Sequence, residues 1–380
     1  MLTWHVITGE YPPQSGGVSD YTFLLAKALA GAGDEVHIWC PRYDQPAPQL
    51  PGVTVHGAVG RYAPSDLWQT GRELDRFPEP RHLLVQWVPH AYGYKSLNIP
   101  FCLWLRSRAR RGDYVDLMVH EPYLPFRKNA WRQNAAALIH RLMTVILLHS
   151  VQHVWGSTTS WWPYLEPYAP GRKLGLDWLP VPSNVPVAHD PARVAAIRRR
   201  YARGALLMGH FGTFGSAIAP LLREILSPVV RDVPEISVVL MGGGSQAFRE
   251  DFIRQDPGAQ ARVQASGRLD EQELSLHISA CDVLIQPYPD GVSTRRTTVM
   301  AALEHGRPVV TTSGPLTEPL WQASGAVALA PAGDAEAFLR CLRQLLENPD
   351  ERARLANAAR ELYRSRFEVR HIVELLREKR

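Results

Sequence analysis

With 380 residues, 45% hydrophobic and 21% charged, the chain has the composition of an ordinary globular protein and is long enough for two cores rather than one. Its 42 basic and 37 acidic side chains leave a formal charge of +5, too mild to call for nucleic acid but in keeping with a phosphate-bearing ligand or an anionic membrane surface. Four scattered cysteines without a C-x-x-C pair speak against a zinc site or disulfide framework and for a reducing cytoplasm, and no apolar run approaches the about 18 residues of a bilayer span.

The chain is expected to enter a strand at once, over 2–7, with no signal-peptide pattern before it. Then come Glu10-Tyr-Pro-Pro-Gln-Ser-Gly16-Gly17 and an apolar-periodic helix over 21–32 that stops near Gly31 and Gly33. Strands are expected at 35–40, 53–56, 83–88 and 117–120, and a long helix over about 129–153. This alternation predicts a parallel sheet covered by helices on both faces. Prolines 180, 182 and 186 then mark a connection, with a domain boundary near 185. The rhythm resumes with strands at 205–210, 236–241, 263–265, 283–286, 308–312 and 326–330, and it ends in a basic amphipathic helix over 367–379. Here too the first strand runs into glycines, Gly209-His-Phe-Gly212-Thr213-Phe-Gly215. A strand that stops at glycines before a helix bares N–H groups at the positive end of the helix dipole, which favours an anion. Two such turns predict two nucleotide-fold domains facing one central cleft.

Several stretches in this order resemble one family. Tyr11-Pro-Pro-Gln-Ser-Gly-Gly17 with Gly33-Asp-Glu-Val-His-Ile38, Val119-His-Glu-Pro122, Leu240-Met-Gly-Gly-Gly-Ser245, Val263-Gln-Ala-Ser-Gly-Arg268, Ala280-Cys-Asp-Val-Leu-Ile-Gln-Pro287 and His305-Gly-Arg-Pro-Val-Val310 are similar to a GT-B glycosyltransferase of the large retaining family 4. The resemblance implies an α/β chain of two Rossmann-like domains: an acceptor domain over 1–185, a nucleotide-sugar donor domain over 186–365, and a C-terminal helix over 366–380 crossing back to the first. It implies a retaining sugar transfer from a nucleoside diphosphate sugar, which is a substrate rather than a cofactor, to a hydroxyl acceptor. It implies no metal, in keeping with the lack of a D-x-D motif. His120 is then the histidine near the reacting sugar.

The chain departs from the family where two glutamates eight residues apart are usual. Counting back from Gly306 puts Ser293 and Ala301 there, and the loop reads Asp290-Gly-Val-Ser-Thr-Arg-Arg-Thr-Thr298. The usual arginine and lysine after the first strand of the second domain are missing as well, with His210 and Ser216-Ala217 in that region. A pyrophosphate needs cations, so Arg295 and Arg296 are expected to supply them, with Ser293, Thr294 and Thr297 adding hydroxyls at a helix start. The plainer alternative is a capped helix with two solvated arginines. Gly16, Gly17, Gly212 and Thr213 are expected at the donor, against the alternative of ordinary tight turns. Asp20, His90 and Tyr92 are expected at the acceptor, the last two within the aromatic stretch 86–94; capping explains Asp20 equally well. Residues 101–111, an apolar stretch with four arginines, suit either a peripheral contact at the inner membrane face or a surface helix whose cations complement its own dipole. A dinucleotide oxidoreductase fails on spacing. A nucleotide-sugar epimerase and a catalytically silent GT-B partner are the remaining rivals.

Overall fold

The computed structural model describes residues 1–93, 96–202 and 206–379, and it forms two compact units, Met1–Pro180 with Val369–Arg380, and Val181–Glu368. The first unit runs β1 (Thr3–Thr8), α1 (Gly17–Gly31), β2 (Glu35–Trp39), β3 (Val53–His56), α2 (Pro64–Leu74), β4 (His82–Trp87), α3 (Ile99–Arg110), β5 (Tyr114–Val119), α4 (Trp131–Leu148), β6 (His153–Gly156), a single turn α5 (Trp162–Leu165) and β7 (Gly175–Trp178). The seven strands pair in parallel in the order β3-β2-β1-β4-β5-β6-β7. Its central strands β1, β4 and β5 are buried along almost their whole length, because helices cover both faces.

The faces are assigned by connection. The crossovers through α2, α3 and α4 all run toward the β7 edge, so right-handed connection puts these three helices in one layer, and α3 packs against both of its neighbours. The crossover through α1 runs the other way and takes the opposite face.

The second unit runs α6 (Pro191–Tyr201), β8 (Leu206–Phe211), α7 (Ala219–Asp232), β9 (Ile236–Met241), α8 (Ser245–Gln255), β10 (Val263–Gly267), α9 (Glu271–Ala280), β11 (Val283–Gln286), α10 (Thr297–Glu304), β12 (Val309–Ser313), α11 (Pro319–Ser324), β13 (Ala328–Pro331), α12 (Ala335–Glu347) and α13 (Pro349–Arg366). Its six parallel strands are ordered β10-β9-β8-β11-β12-β13. The last helix, α14 (Val369–Glu378), belongs to the first unit and packs on α1. It buries Ile372, Val373 and Leu376, and Arg377 reaches Asp34 at 3.4 Å while Lys379 meets Asp177 at 3.0 Å.

Two sequence expectations shift, and a third falls outside the described residues. The long helix over 129–153 ends at Leu148, and His153 opens β6, which pairs with β5 and β7. Strand pairing on both sides outweighs the helical periodicity that runs into it. The first helix starts at Gly17 rather than 21, since the Glu10 carboxylate accepts from Val18 N (3.0 Å) and Ser19 N (3.1 Å) and caps it. The first strand of the second unit is described from Leu206; its expected start at Ala205 lies outside the described residues.

Candidate functional site

In an open parallel sheet, ligands meet the carboxyl ends of strands where the strand order reverses. That point falls between β8 and β11 in the second unit and between β1 and β4 in the first. Each is described separately.

At the β8–β11 point, Gln286 Nε2 donates to Phe211 O at 3.0 Å, tying the two strand ends together. Gly212 follows with φ +142°, a region closed to most side chains, and its N–H donates to Met241 O at 3.1 Å. A Cβ on Gly212 would stand 3.5 Å from Thr298 Cγ2, so this turn lies against the first turn of α10. The contact chain continues: Thr298 Oγ1 is 2.5 Å from Tyr288 OH, and the Arg296 guanidinium carbon lies 4.3 Å over the Tyr288 ring. Thr213 and Gly215 are exposed beside it, and Thr297 is half-buried at the start of α10. His210, the residue before the last of β8, is buried; its Nδ1–H donates to Ile285 O at 2.8 Å, and burial pushes its pKa down to about 4. Its bare Nε2 is a neutral acceptor with no hydrogen-bond partner in the structure.

The loop from Pro287 to Arg296 corrects part of the sequence expectation. Ser293 and Thr294 were expected to offer hydroxyls to the donor, but both are buried, at 0% and 1% exposure. Thr294 donates through both N (3.1 Å) and Oγ1 (2.6 Å) to Glu318 Oε1, whose other oxygen accepts from Trp321 Nε1 at 2.9 Å. A carboxylate inside the fold needs these donors, so it draws the loop's polar groups inward. Arg295 and Arg296 are neither solvated nor idle: each donates to one oxygen of Asp290, at 2.9 and 2.5 Å. The trio therefore carries a net charge of about +1 rather than +2, held in a fork by one carboxylate.

At the β1–β4 point of the first unit, the glycine turn is similarly occupied. The N–H groups of Val18 and Ser19, just after the Gly16-Gly17 turn expected at the donor, already bond Glu10. A Cβ on Gly16 would collide with that carboxylate, whereas one on Gly17 meets open space. Gly16→Ala is therefore expected to lower the melting temperature by several degrees, on the order of 1–2 kcal/mol for a lost cap, and Gly17→Ala to leave it within a degree. Calorimetric melting of the two variants checks this, and equal melting temperatures would refute the capping role of Glu10. Asp20 lies in the first turn of α1, where its charge complements the helix dipole.

His120, just past β5, is 8% exposed, and its Nε2–H donates to Gln86 Oε1 at 2.8 Å. Burial drives its pKa down to about 3, so the ring is neutral with Nδ1 as its acceptor, and Tyr21 packs edge-on against it at 4.9 Å. His90 stands after β4, exposed, with Nδ1 3.7 Å from Glu121. The first turn of α1, His120 and the His90–Glu121 pair thus gather at the ends of β1, β4 and β5. Tyr92 does not join them. It is wholly buried, its hydroxyl donates to Gln86 O at 2.5 Å, and its ring stacks on Trp87 and Phe101, so no face is left for a sugar. Tyr94 of the same stretch lies outside the described residues.

The segment 101–111 falls on α3 and its C-cap Arg111, and Phe101, Cys102 and Leu105 are buried. Arg108 is buried too, between Asp75 (2.6 Å) and Asp113 (2.5 Å). Most of the apolar side expected at a membrane is spent on the sheet, because three helices share that layer, and Leu103 is left exposed. The groups that sequence reasoning missed are Glu10, Glu318, Tyr288 and Gln86. A carboxylate a few residues before a glycine-led helix start was a readable sign for Glu10; nothing local marks Glu318 as the anchor of Thr294, 24 residues away.

Residues 204–348 match the pattern of a family described as glycosyl transferases group 1. No curated protein sequence matches the chain. Among solved structures, sucrose-phosphate synthase from Thermosynechococcus elongatus superposes with a TM-score of 0.73 at 16% identity, over 100% of this chain and 98% of that one. HepE of Anabaena, in complex with UDP and glucose, gives 0.69 at 15% identity over 99% and 98%. WaaG, a glycosyltransferase involved in lipopolysaccharide biosynthesis, gives 0.60 at 14% identity over 99% and 98%. At these identities the likeness is one of fold, and the fold is GT-B.

Proposed function

We propose that the chain, whose residues 204–348 match glycosyl transferases group 1 and whose fold is GT-B, is a glycosyltransferase that moves a sugar from a nucleoside diphosphate sugar to a hydroxyl acceptor, with retention and without a metal. The observation that carries the donor end is the contact chain Arg296–Tyr288–Thr298–Gly212 at the strand reversal of the second unit. It puts a guanidinium pair beside a glycine turn and a helix start, the groups a diphosphate requires. HepE binds UDP and glucose, which supports a uridine diphosphate sugar as the first donor to try.

In the proposed reaction the bond from the anomeric carbon to the phosphate oxygen breaks as the bond to the acceptor oxygen forms on the same face. The acceptor proton passes to the departing phosphate. The guanidinium pair then stabilises leaving charge, a term worth most where water is excluded. His120, neutral and with Nε2–H already given to Gln86, suits accepting a hydrogen bond from a sugar hydroxyl through Nδ1 rather than stabilising phosphate charge. The acceptor class is a glycan, a lipid-linked sugar or a small molecule, and four free cysteines support placement in a reducing cytoplasm.

The test is thermal unfolding with a panel of nucleotides and nucleotide sugars. A donor at a hundredfold its Kd adds about 2.7 kcal/mol, and a shift of about 5–10 °C is expected, unchanged by EDTA and followed by slow donor hydrolysis. No shift with any nucleotide would overturn the reading. A shift without hydrolysis or transfer to any acceptor would favour the silent sugar-binding partner, which the missing glutamate pair already suggests as the second reading.

A further inference from the structure

The layer α2–α3–α4 exposes several large apolar side chains on the side turned away from its sheet, most of them on α4. Trp68 of α2 and Leu103 of α3 are more than half exposed, and α4 exposes Trp131 (73%), Leu138 (64%) and Leu142 (48%). Those three are spaced by seven and four residues, so they line one face of the helix. The opposite face buries Ala137, His140, Met143, Thr144, Leu147 and Leu148. A helix apolar on both faces needs an apolar partner on both, and among the described residues α4 has one on only one side.

Charge on this element has one sign. Between Pro122 and Leu165 the sequence holds no Asp or Glu, while it holds Arg127, Lys128, Arg132 and Arg141. The turn before α4 is fastened to it: Asn134 Oδ1 accepts from Arg127 N and its Nδ2 donates to Arg127 O, both at 2.9 Å, and Gln133 Nε2 donates to Pro125 O at 3.0 Å. Arg141 packs its guanidinium on the Phe126 ring at 3.9 Å and donates to Leu124 O and Ala137 O, so it is a brace for this turn. Phe126, Arg127, Lys128, Trp131 and Arg132 are therefore held, exposed, around the N-terminal end of the helix.

We propose that this face of α4 seats on an anionic lipid bilayer. Trp131, Leu138 and Leu142, with Phe126, enter the headgroup boundary, and Arg127, Lys128 and Arg132 meet lipid phosphates. An aromatic and aliphatic stripe flanked by cations is the pattern of an interfacial helix. A second copy fits poorly, because a two-fold contact would set this acid-free stretch against itself with no carboxylate to meet its cations. The attachment is peripheral: no helix among the described residues is long and apolar enough to cross a membrane.

Flotation of the full chain with vesicles tests it, with neutral phosphatidylcholine alone or with a third phosphatidylglycerol. Binding is expected to favour the anionic vesicles about a hundredfold and to weaken with salt. Trp131→Ser with Leu138→Ser and Leu142→Ser is expected to lower it at least about tenfold, and Arg127→Gln with Lys128→Gln and Arg132→Gln to remove the preference for anionic lipid. Every substituted side chain is exposed, and nucleotide-induced melting shifts report whether the fold persists in each variant. Equal binding to both vesicle types, or unchanged binding by the serine variant, overturns the proposal. So does concentration-dependent self-association without vesicles that the serine variant abolishes, which would give the face to a second copy. Vesicle binding is read without donor or acceptor, so either result leaves the transferase reading where it stands.

Discussion

Replacing Arg295 and Arg296 together by alanine is expected to weaken binding of a nucleoside diphosphate about a hundredfold, about 2.8 kcal/mol at about 1.4 kcal/mol per factor of ten. Both guanidinium groups are half-buried, and each spends one N–H on Asp290, at 2.9 and 2.5 Å. The remaining donors of Arg296 lie beside Tyr288 and, through it, Thr298 and the Gly212 turn. Removing the pair does two things. It deletes the charge-assisted donors, and it leaves the Asp290 carboxylate facing the phosphates without a counter-charge. The second effect gives the experiment its internal control. Adding Asp290→Asn to the double variant removes the repulsion and is expected to restore part of the loss, on the order of tenfold. Isothermal titration of UDP at low and moderate salt measures all three proteins. An unchanged Kd in the double variant would take the guanidinium pair out of the donor site.

Glu318→Ala is expected to be the more damaging change to the fold. The carboxylate is 5% exposed and accepts hydrogen bonds from Thr294 N, Thr294 Oγ1 and Trp321 Nε1. Alanine strands a buried amide and a buried indole N–H, at about 1–3 kcal/mol each, so a loss of about 3 kcal/mol is reasonable. For a unit of this size that lowers the melting temperature by about 6–12 °C. The loop also frees its inner anchor, so nucleotide affinity is expected to fall even below the melting range. Glu318→Gln keeps one acceptor oxygen and is expected to lose less than half as much. Calorimetry on both variants decides it; an alanine variant melting within two degrees of the parent would show that Glu318 does not hold the loop.

The two variants divide the loop into an outward and an inward half, a division that its sequence does not show. Ser293, Thr294, Arg295, Arg296 and Thr297 read alike as polar residues before a helix. In the structure the first two point into the core, the arginines fork onto Asp290, and Thr297 stands half-buried at the helix start. Tyr92 shows the same limit in the first unit. Its neighbours made it read as a stacking platform, yet it lies buried over the β1–β4 junction, with its hydroxyl 3.3 Å from Ile7 O and 2.5 Å from Gln86 O.

Strand and helix alternation was legible because burial on both faces writes itself locally: Ile236–Met241 and Val283–Gln286 are largely apolar or β-branched runs, buried throughout, and each forms a strand with the expected limits, as does the part-exposed edge strand Val53–His56. The sequence also carried the two glycine turns and the segments that resemble the family, since a tight turn or a strand end depends on residues next to one another. What only the tertiary structure decided is which polar group bonds which. Glu10 reaches over eight residues to cap α1, Glu318 over 24 to hold Thr294, and Gln86 over 34 to fix the His120 ring. Each choice is made inside one unit, and the two longer ones join segments that meet only once that unit's sheet has formed. Periodicity is a property of neighbours in sequence, whereas a hydrogen bond between buried groups is a property of neighbours in space.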